Sequence, residues 1–363
     1  MARADTWFMR LTTTAGALRA ALSTARHATP SSPSLVAYSG VLLLVKGNRL
    51  SVVGSDGETT IAALVTVTDG TDGQTLLPPR PIAAFLGTAD ADAQVVVILE
   101  EAGDVALLIG TSQPYRFRPI AATFPLPSTS RAGSIEVDMA RLAVAVAAVR
   151  SSVSKDTPGV QLVSGPAGLV LHSTDNYRLS RVELPEAGFG DFSGVVALSV
   201  LERIARHTIT SVSVDQRGST LRCAGPDVVI SSRLLSTPFP AVETILTNPP
   251  ALRVTMSSSA LHAALSRLQT VAEGSPLRCR ISAEGFELSV SNIDLGSGTE
   301  IVPSTGTVAA PFEFAVSSNY LAEAVASHSA ETIQIGFSTA QAPIFVLSTD
   351  PLSVTSVVMP VRL

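Results

Sequence analysis

The side chains best suited to catalysis or metal binding are few and lie far apart along the chain. The five histidines occur singly, and none has the spacing of a zinc motif such as HExxH. GVLLLVKG contains a lysine without the glycine pattern of a phosphate-binding loop. DGTDG at residues 69–73 lacks the final glutamate of a calcium loop, and no GxSxG motif is present. These patterns indicate a binding or structural protein that is not an enzyme and needs no metal or cofactor.

Basic residues are concentrated in six segments with helical periodicity. These segments carry eight arginines against four acidic residues, a charge of about +4, whereas the whole chain has −5. The arginines are Arg19, Arg26, Arg80, Arg141, Arg150, Arg203, Arg206 and Arg267. In the helical segment that begins near Asp138, we expect Arg141 to share an exposed face with Ala145, Ala148 and Ser152. Faces of this kind suit a polyanion such as DNA, although any solvent-exposed helix also carries some arginine.

The six helical segments occur as three pairs. The first helix of each pair begins near Thr14, Asp138 and Ser257, and the second begins near Arg80, Ala197 and Ser317. Between the two helices, the strand-like runs LSVVGSD, LVLHSTD and LSVSNID end at Asp56, Asp175 and Asp294, at intervals of 119 residues. Alternating apolar runs with turn residues follow each second helix and predict antiparallel hairpins.

The repeat predicts an α+β fold of three domains in a row, each with two helices packed on antiparallel sheets. We place the domains at residues 1–128, 129–248 and 249–363. The joints between them are short and rich in proline and small polar residues, as connections require.

Composition narrows the class of protein further. Of 363 residues, 46% are hydrophobic, 15% charged and 5% aromatic, which excludes wholesale disorder. A net charge of −5 excludes a uniformly basic DNA-binding protein but not a local basic patch. Cys223 and Cys279 are expected to be free buried thiols in a reducing compartment. The absence of an apolar leader or a long apolar run leads us to expect a soluble, cytoplasmic protein that does not enter a membrane.

Three motifs resemble those of one protein family. TDNYRLS at residues 174–180 is similar to the TD-x-(H/Y/F)-R-(L/F)-A segment of the bacterial DNA polymerase III beta subunit, the sliding clamp. FPAVETIL at 239–246 looks like that family's FP-x-(Y/F)-x-x-(L/V)-(L/I)-P, and VVMPVRL at 357–363 resembles its MP-(M/V)-R-L ending. The motifs share the family's order and spacing, so the resemblance covers nearly the whole chain. The MPVRL ending and the alanine-rich composition resemble actinobacterial clamps, which points to a high-GC bacterium or its phage.

The resemblance implies a head-to-tail homodimer that closes into a ring around duplex DNA, with helices lining the hole. It also implies a non-enzymatic processivity factor, to which the DNA polymerase III alpha subunit and the clamp loader bind through short peptides, often like QLxLF. These peptides would dock in a pocket between the second and third domains. The pocket positions in this sequence are Thr174, Asn176, Tyr177, Arg178, Leu179, Pro240, Thr244, Ile245, Leu277, Ser317, Tyr320, Val357, Met359, Pro360, Val361, Arg362 and Leu363.

Four positions depart from the family pattern. Thr244 lies where many clamps have arginine, and Ser317 lies where asparagine is common; Asn176 replaces a frequent glycine and Thr247 a proline. A second hypothesis is therefore a divergent clamp paralogue with altered partner or inhibitor specificity, such as one that protects its host from a clamp-targeting compound. A third, from another class, is a β-rich assembly protein that does not bind DNA.

Overall fold

The elements of the chain follow one order three times. The computed structural model describes residues 9–127, 133–134, 138–154, 156, 158–214, 219–306 and 310–362. Within these residues every strand pair between the named strands is antiparallel, and helices alternate with groups of strands. The predicted α+β class and the threefold repeat of elements are confirmed.

The first repeat contains two helices and nine strands. They are β1 (Met9–Thr14), α1 (Ala15–Arg26), β2 (Val41–Lys46), β3 (Arg49–Ser55), β4 (Thr59–Thr66), β5 (Thr68–Thr71), β6 (Gly73–Leu77), α2 (Pro79–Leu86), β7 (Gln94–Leu99), β8 (Val105–Ile109) and β9 (Tyr115–Phe117).

The second repeat has the same order with one strand fewer between its first two helices, and it ends in a short additional helix that the sequence did not predict. Its elements are β10 (Gly133–Ser134), α3 (Met139–Arg150), β11 (Gly159–Gly165), β12 (Gly168–Thr174), β13 (Arg178–Leu184), β14 (Phe192–Ala197), α4 (Leu198–Ile204), β15 (Ser211–Val214), β16 (Thr220–Ala224), β17 (Val228–Arg233) and α5 (Glu243–Leu246).

The third repeat contains the longest helix, α6. Its elements are β18 (Leu252–Ser257), α6 (Ser258–Ala272), β19 (Pro276–Ser282), β20 (Gly285–Asn292), β21 (Gly296–Val302), β22 (Ser304–Thr305), β23 (Phe312–Ser317), α7 (Ser318–Ala326), β24 (Thr332–Phe337), β25 (Ile344–Ser348) and β26 (Ser353–Val358).

The first helix of each repeat begins directly after a capping side chain. Side-chain oxygens of Thr14, Asp138 and Ser257 accept backbone N–H groups from the first turns of α1, α3 and α6. The predicted apolar stripes are buried, as Leu18 of α1 and Leu265 of α6 show. All six predicted helices are confirmed, because capping and apolar periodicity act locally.

One predicted helix face and one predicted equivalence are wrong. Ala145, Ala148 and Ser152 are buried rather than exposed, because α3 packs on β12 and β13 over a wide face. In the third repeat the turn after β20 is organised by Asn292, whose Oδ1 accepts the N–H groups of Asp294 and the next residue. Asp294 is therefore not the equivalent of the aspartates that end the first two runs.

Four sheets form two compact units. The first unit consists of the described residues of Met1–Glu136 and His207–Leu234, and the second of those of Val137–Arg206 and Leu235–Leu363. In the first unit the sheets run β5-β1-β7-β8-β9 and β10-β15-β16-β17-β4-β3-β2-β6. In the second they run β14-β11-β12-β13-β26-β25-β24-β18-β22 and β21-β20-β19-β23.

The large sheet in each unit combines strands of two consecutive repeats. β4 pairs with β17 in the first unit, and β13 pairs with β26 in the second. This pairing explains why three repeats give two compact units. The domain boundaries at 128/129 and 248/249 follow the repeat and stay a prediction; the first of them lies outside the described residues.

Candidate functional site

A hydrogen-bonded turn after β12 holds the first motif. Asp175 Oδ1 accepts the N–H groups of Tyr177 and Arg178, both at 3.0 Å. Thr174 Oγ1 accepts the N–H of Asn176 at 3.1 Å and donates to the carbonyl of Arg178 at 2.8 Å. Asn176 has φ 72°, a left-handed conformation that asparagine tolerates better than most residues other than glycine. The turn leaves the Tyr177 side chain 63% exposed.

Beside this turn, the outer face of the nine-stranded sheet forms an apolar floor. Leu179 of β13 lies opposite Val357 of β26, which lies opposite Phe345 of β25. All three are at most 3% exposed and form one cluster. The alternation of strand side chains puts them on one face, opposite to the face on which α3 packs. We call these three residues the groove floor.

The second motif packs onto the groove floor as a wall. Val242 and Leu246 are buried against the floor, and Phe239 and Ile245 are half-buried there. We call residues 239–246 the lip; it contains α5. Pro240 is half-buried and Thr244 is exposed at the surface of the lip. The apolar residues recur three and four positions apart, so one turn of helix directs them to the floor.

The C-terminal residues run between two sheets of the second unit. The N–H of Met359 donates to the carbonyl of Tyr177 at 2.9 Å, and that of Val361 donates to Ala315 at 2.8 Å. Pro360 forms a bridge opposite Val316. Met359 is 36% exposed and Val361 37% exposed, so their side chains extend the apolar surface. Arg362 is exposed, and Leu363 lies outside the described residues.

A charged and aromatic cluster closes one end of this surface. Arg178 Nε lies 2.9 Å from Asp175 Oδ2, and its Nη1 forms an ion pair with Glu323 of α7. The guanidinium lies 4.4 Å from the centroid of the Tyr320 ring, which stacks on Tyr177 at 6.4 Å. The arginine therefore links the turn to α7, and its side chain is only 13% exposed.

Two predicted pocket residues have other surroundings. Leu277 is fully buried in the core of the third repeat and offers no surface to a ligand, so its assignment as a pocket wall is wrong. Ser317 caps α7, since its side-chain oxygen accepts the N–H of Tyr320. Its hydroxyl is therefore already engaged by the helix.

Sequence reasoning missed several residues that build the groove. Phe345 and Leu347 come from a strand that shows ordinary alternation, and nothing local indicates which sheet it joins. Val242 and Leu246 could have been found from their spacing around Ile245, which fits a helical turn. Glu323 gave no signal, because its partner is distant in sequence.

The predicted basic residues have diverse environments. Arg150 lies 3.3 Å from Glu202, and Arg267 donates to both carboxylate oxygens of Glu300 at 2.6 and 2.8 Å. This bidentate contact lowers the pKa of Glu300. Two other arginines, 26 and 80, are exposed and line an open cavity of about 420 Å³ in the first unit.

The remaining four arginines differ in burial and position. Arg19 donates to the carbonyl of Leu86 at 3.4 Å. Arg141 and Arg203 are half-buried on α3 and α4. Arg206 is exposed in the turn after α4, so its assignment to a helix is wrong.

The described residues contain no cluster of three or more potential metal ligands. Cys223 and Cys279 are free and buried, as predicted, and burial raises the pKa of the Cys223 thiol to about 12. No helix in the described part of the chain is long and apolar enough to span a membrane.

Comparison with known proteins places these features in context. Residues 244–362 match the family described as DNA polymerase III beta subunit, C-terminal domain. The structure resembles the DNA polymerase sliding clamp of Pseudomonas aeruginosa, with a TM-score of 0.87 and 20% identity over 98% of this chain and 100% of that one. The fold is that of a sliding clamp.

Two further solved structures agree. The Bacillus subtilis sliding clamp gives a TM-score of 0.86 at 16% identity, and the Thermotoga maritima DNA polymerase III beta subunit gives 0.82 at 20%. Each alignment covers 98% of this chain and 100% of the other. The sliding-clamp fold therefore extends over all three repeats, beyond the domain that the family match covers.

Proposed function

We propose that this protein is a DNA sliding clamp that tethers the replicative polymerase and other partners to duplex DNA. The observation that carries the proposal is the apolar cluster of floor and lip beside the Thr174–Arg178 turn, bordered by exposed apolar side chains, in a chain with the sliding-clamp fold. The protein acts by binding alone and catalyses no reaction.

The chemistry of the groove suits a short extended peptide with apolar anchors. The exposed side chains of Tyr177, Met359 and Val361 and the half-buried apolar side chains of the lip border the buried floor and offer apolar contacts. Burying a leucine or phenylalanine side chain there contributes about 1.5–3 kcal/mol per anchor. Peptides like QLxLF, from the polymerase alpha subunit and the clamp loader, carry anchors of this type.

The two small sheets support a head-to-tail homodimer. In the described residues β21 is an outermost strand, as is β9. The strands equivalent to β21 pair with the last strand of a following repeat, namely β4 with β17 and β13 with β26. Equivalent pairing of β21 with β9 of a second copy would remove both edges and close a ring.

The repeat also sets the register of this interface. Arg178, the third residue after Asp175, lies opposite Val358, which in turn lies opposite the first residue of β25. The equivalent residues are Leu295, the third residue after Asn292, and Phe117, which lies opposite the first residue of β8. Leu295 would thus lie opposite Phe117 of the partner subunit. Ile293 is 99% exposed, in keeping with a surface that a partner covers.

DNA would be held by enclosure and by weak contacts from helix arginines such as Arg26 and Arg80. Several of the other basic side chains already have acidic partners. Binding would thus be non-specific and salt-dependent.

The first test is titration of a labelled QLxLF-type peptide into the full protein and into a variant truncated after Met359. Micromolar binding that truncation abolishes supports the groove as the partner site. A dimer of about 75 kDa, twice the chain mass of 37.5 kDa, supports the ring. A monomer that neither binds the peptide nor stays on circular DNA would favour the β-rich assembly protein.

A second candidate function is a clamp with altered partner or inhibitor specificity. Thr244 gives the lip a short side chain, and the Ser317 hydroxyl is engaged in capping α7. Losing two polar contacts to a peptide would reduce affinity by about 1 kcal/mol each. Equal peptide affinities in this protein and a housekeeping clamp would exclude this candidate.

A further inference from the structure

A row of polar residues lies next to the groove floor, on the same face of the sheet. His172 precedes Thr174 by two positions on β12, so both side chains point to one face. It lies opposite Gln161 of β11 and Arg181 of β13. His172 is 3% exposed, and neither ring nitrogen has a hydrogen-bond partner among the described residues. Arg181 Nε also lacks one there.

The equivalent row in the first unit is apolar. Val53 takes the place of His172 and lies opposite Leu42 of β2 and Ala62 of β4. Val53 is also 3% exposed and packs in an apolar cluster with both neighbours. A buried imidazole without partners lowers stability relative to such a valine. Packing alone therefore does not explain why the second unit has a histidine where the first has a valine.

The lip packs at one end of this row. Leu347 lies in the same row as His172, through the opposed pairs of β13, β26 and β25, and it packs against the cluster that includes Val242 and Leu246. Glu243 of the lip is near enough for its charge to act on the histidine. The lip and the buried imidazole therefore lie on the same face of the sheet.

The charged groups around His172 come from two elements. Burial lowers the pKa of His172 to about 4; the Glu243 carboxylate of the lip opposes this shift, and the Arg181 guanidinium of β13 adds to it. Arg181 Nη2 is paired with Glu183 at 2.9 Å. Gln161, from β11, is neutral.

We propose that His172 is a positioning residue for the groove, which keeps the lip packed while neutral and releases it when protonated. A buried imidazolium beside Arg181 would lack an acceptor, whereas lifting residues 239–246 would hydrate it. The motion of the lip is inferred from the residues around His172 alone. Its consequence, weaker peptide binding in acid, rests on the proposed function.

The direction and size of the effect follow from linkage. With the lip packed the pKa of His172 is about 4, and with the lip open it returns to about 6.5. Acid therefore favours the open lip between these values. From pH 7.5 to pH 5.5 the ratio of open to packed lip rises about tenfold.

Hydrogen exchange of the full protein measures this ratio without a ligand. The N–H groups of Ile245 and Leu246 in the lip, and of Thr247 directly after it, donate to the carbonyls of Val242 and Glu243, so their protection reports packing. The experiment compares the wild type with His172→Val, the residue of the first unit, and with His172→Gln, which also cannot be charged. Comparing proteins at the same pH removes the intrinsic pH dependence of exchange.

We expect lip protection in the wild type, relative to both variants, to fall about tenfold from pH 7.5 to pH 5.5, while α1 amides stay protected. His262→Gln, at an exposed position on α6, should behave as the wild type. Equal pH dependence in the wild type and a folded His172 variant overturns the proposal. A wild-type lip that does not respond to pH also overturns it.

Peptide titration on the same samples separates this inference from the proposed function. Peptide binding that weakens in acid in the wild type and not in His172→Gln supports both the role of His172 and the proposed function. A peptide that does not bind at pH 7.5 contradicts the proposed function and leaves the exchange result to decide the role of His172.

Discussion

The turn after β3 in the first unit and the turn after β12 in the second have the same backbone and different side chains. Asp56 Oδ1 accepts the N–H groups of Glu58 and Thr59 at 2.9 and 2.6 Å, as Asp175 does in its own turn. Each turn then leads into the strand that pairs with the following repeat. The aspartate thus fixes the shape of the turn and carries no information about a ligand.

The contact to the last strand is also repeated. The carbonyl of Glu58 accepts the N–H of Arg233, and that of Tyr177 accepts the N–H of Met359, both at 2.9 Å. In the first unit an exposed ion pair joins the side chains of Arg233 and Glu58. In the second unit the corresponding side chains are apolar or aromatic and exposed.

The largest difference between the units is at the groove floor and the equivalent residues of the first unit. Thr60, Ser231 and Arg222 occupy the places that Leu179, Val357 and Phe345 occupy in the second unit. One scaffold therefore gives a polar sheet surface in one unit and an apolar groove in the other. The comparison teaches that the repeat specifies the backbone, and that a few substitutions on one sheet face create the site.

The largest expected difference between the units concerns acid. His172 and His328 are the buried histidines in the described residues, and both belong to the second unit. Burial lowers the pKa of each to about 4, below the unfolded value of about 6.5. Their contribution to stability is thus present above pH 6.5 and is lost as the pH falls toward 4.

At pH 5 the two histidines together should reduce the free energy of unfolding of the second unit by about 4 kcal/mol relative to pH 7.5. Unit-resolved hydrogen exchange in urea measures this loss. The first unit should lose much less, and His207→Gln, at a half-buried position in that unit, is the control. Equal acid sensitivity in both units would show that the buried histidines do not set it.

Replacing a groove-floor residue by its polar equivalent from the first unit should abolish the groove. Leu179→Thr introduces the residue type of position 60 and removes buried apolar atoms, so we expect the free energy of unfolding to fall by about 3 kcal/mol. Peptide affinity should fall at least about tenfold, because the lip packs on Leu179 and would no longer hold its apolar side chains in place. Titration and urea unfolding test both effects.

The matched control for this substitution is Thr60→Val in the first unit. It should leave peptide affinity unchanged, since that floor is outside the groove. If Leu179→Thr binds peptide as well as the wild type does, the peptide docks elsewhere.

Tyr177 and Glu58 are exposed at equivalent positions of the two turns and should differ in their effect on peptide binding. Tyr177→Ala removes a ring that is 63% exposed and stacked on Tyr320, so peptide affinity should fall by about 1 kcal/mol, roughly fivefold. Glu58→Ala, the equivalent change, should have no effect. Neither substitution should change the free energy of unfolding by more than about 0.5 kcal/mol. Equal effects on binding would contradict the difference between the units.

The smallest effect is expected from the surface ion pairs. Glu323→Gln breaks a pair whose acid is 49% exposed, while Arg178 keeps its contacts with Asp175 and Tyr320. The free energy of unfolding should fall by less than about 1 kcal/mol, and less in high salt. Glu58→Gln, which breaks the exposed pair with Arg233, is the control and should cost no more. A loss above 2 kcal/mol for Glu323→Gln would mean that the link to α7 is essential to the fold.

The sequence predicted what local forces determine. Apolar spacing within one helix was sufficient to find all six helices of the repeat. The caps at Thr14, Asp138 and Ser257, which the structure shows, are equally local. The resemblance to the clamp family provided three of the eight residues of the groove cluster, Leu179, Ile245 and Val357.

What the sequence could not provide depends on long-range pairing. Nothing in the sequence of β17 indicates that it joins β4 rather than its own repeat, and nothing in Phe345 indicates that it lies beside Val357. The equal interval of 119 residues misled the alignment of the third repeat, because Asn292 can organise the same turn as aspartate.

The sharing of strands between repeats has a consequence for synthesis on the ribosome. A nascent chain that ends at residue 128 holds the first repeat but lacks β17, which pairs with β4. The outer strand of its sheet stays unpaired until about a hundred more residues have emerged, a period in which an exposed edge is prone to aggregation. Completion of the first unit is therefore tied to translation of the second repeat, and that of the second unit to β26 near the C-terminus.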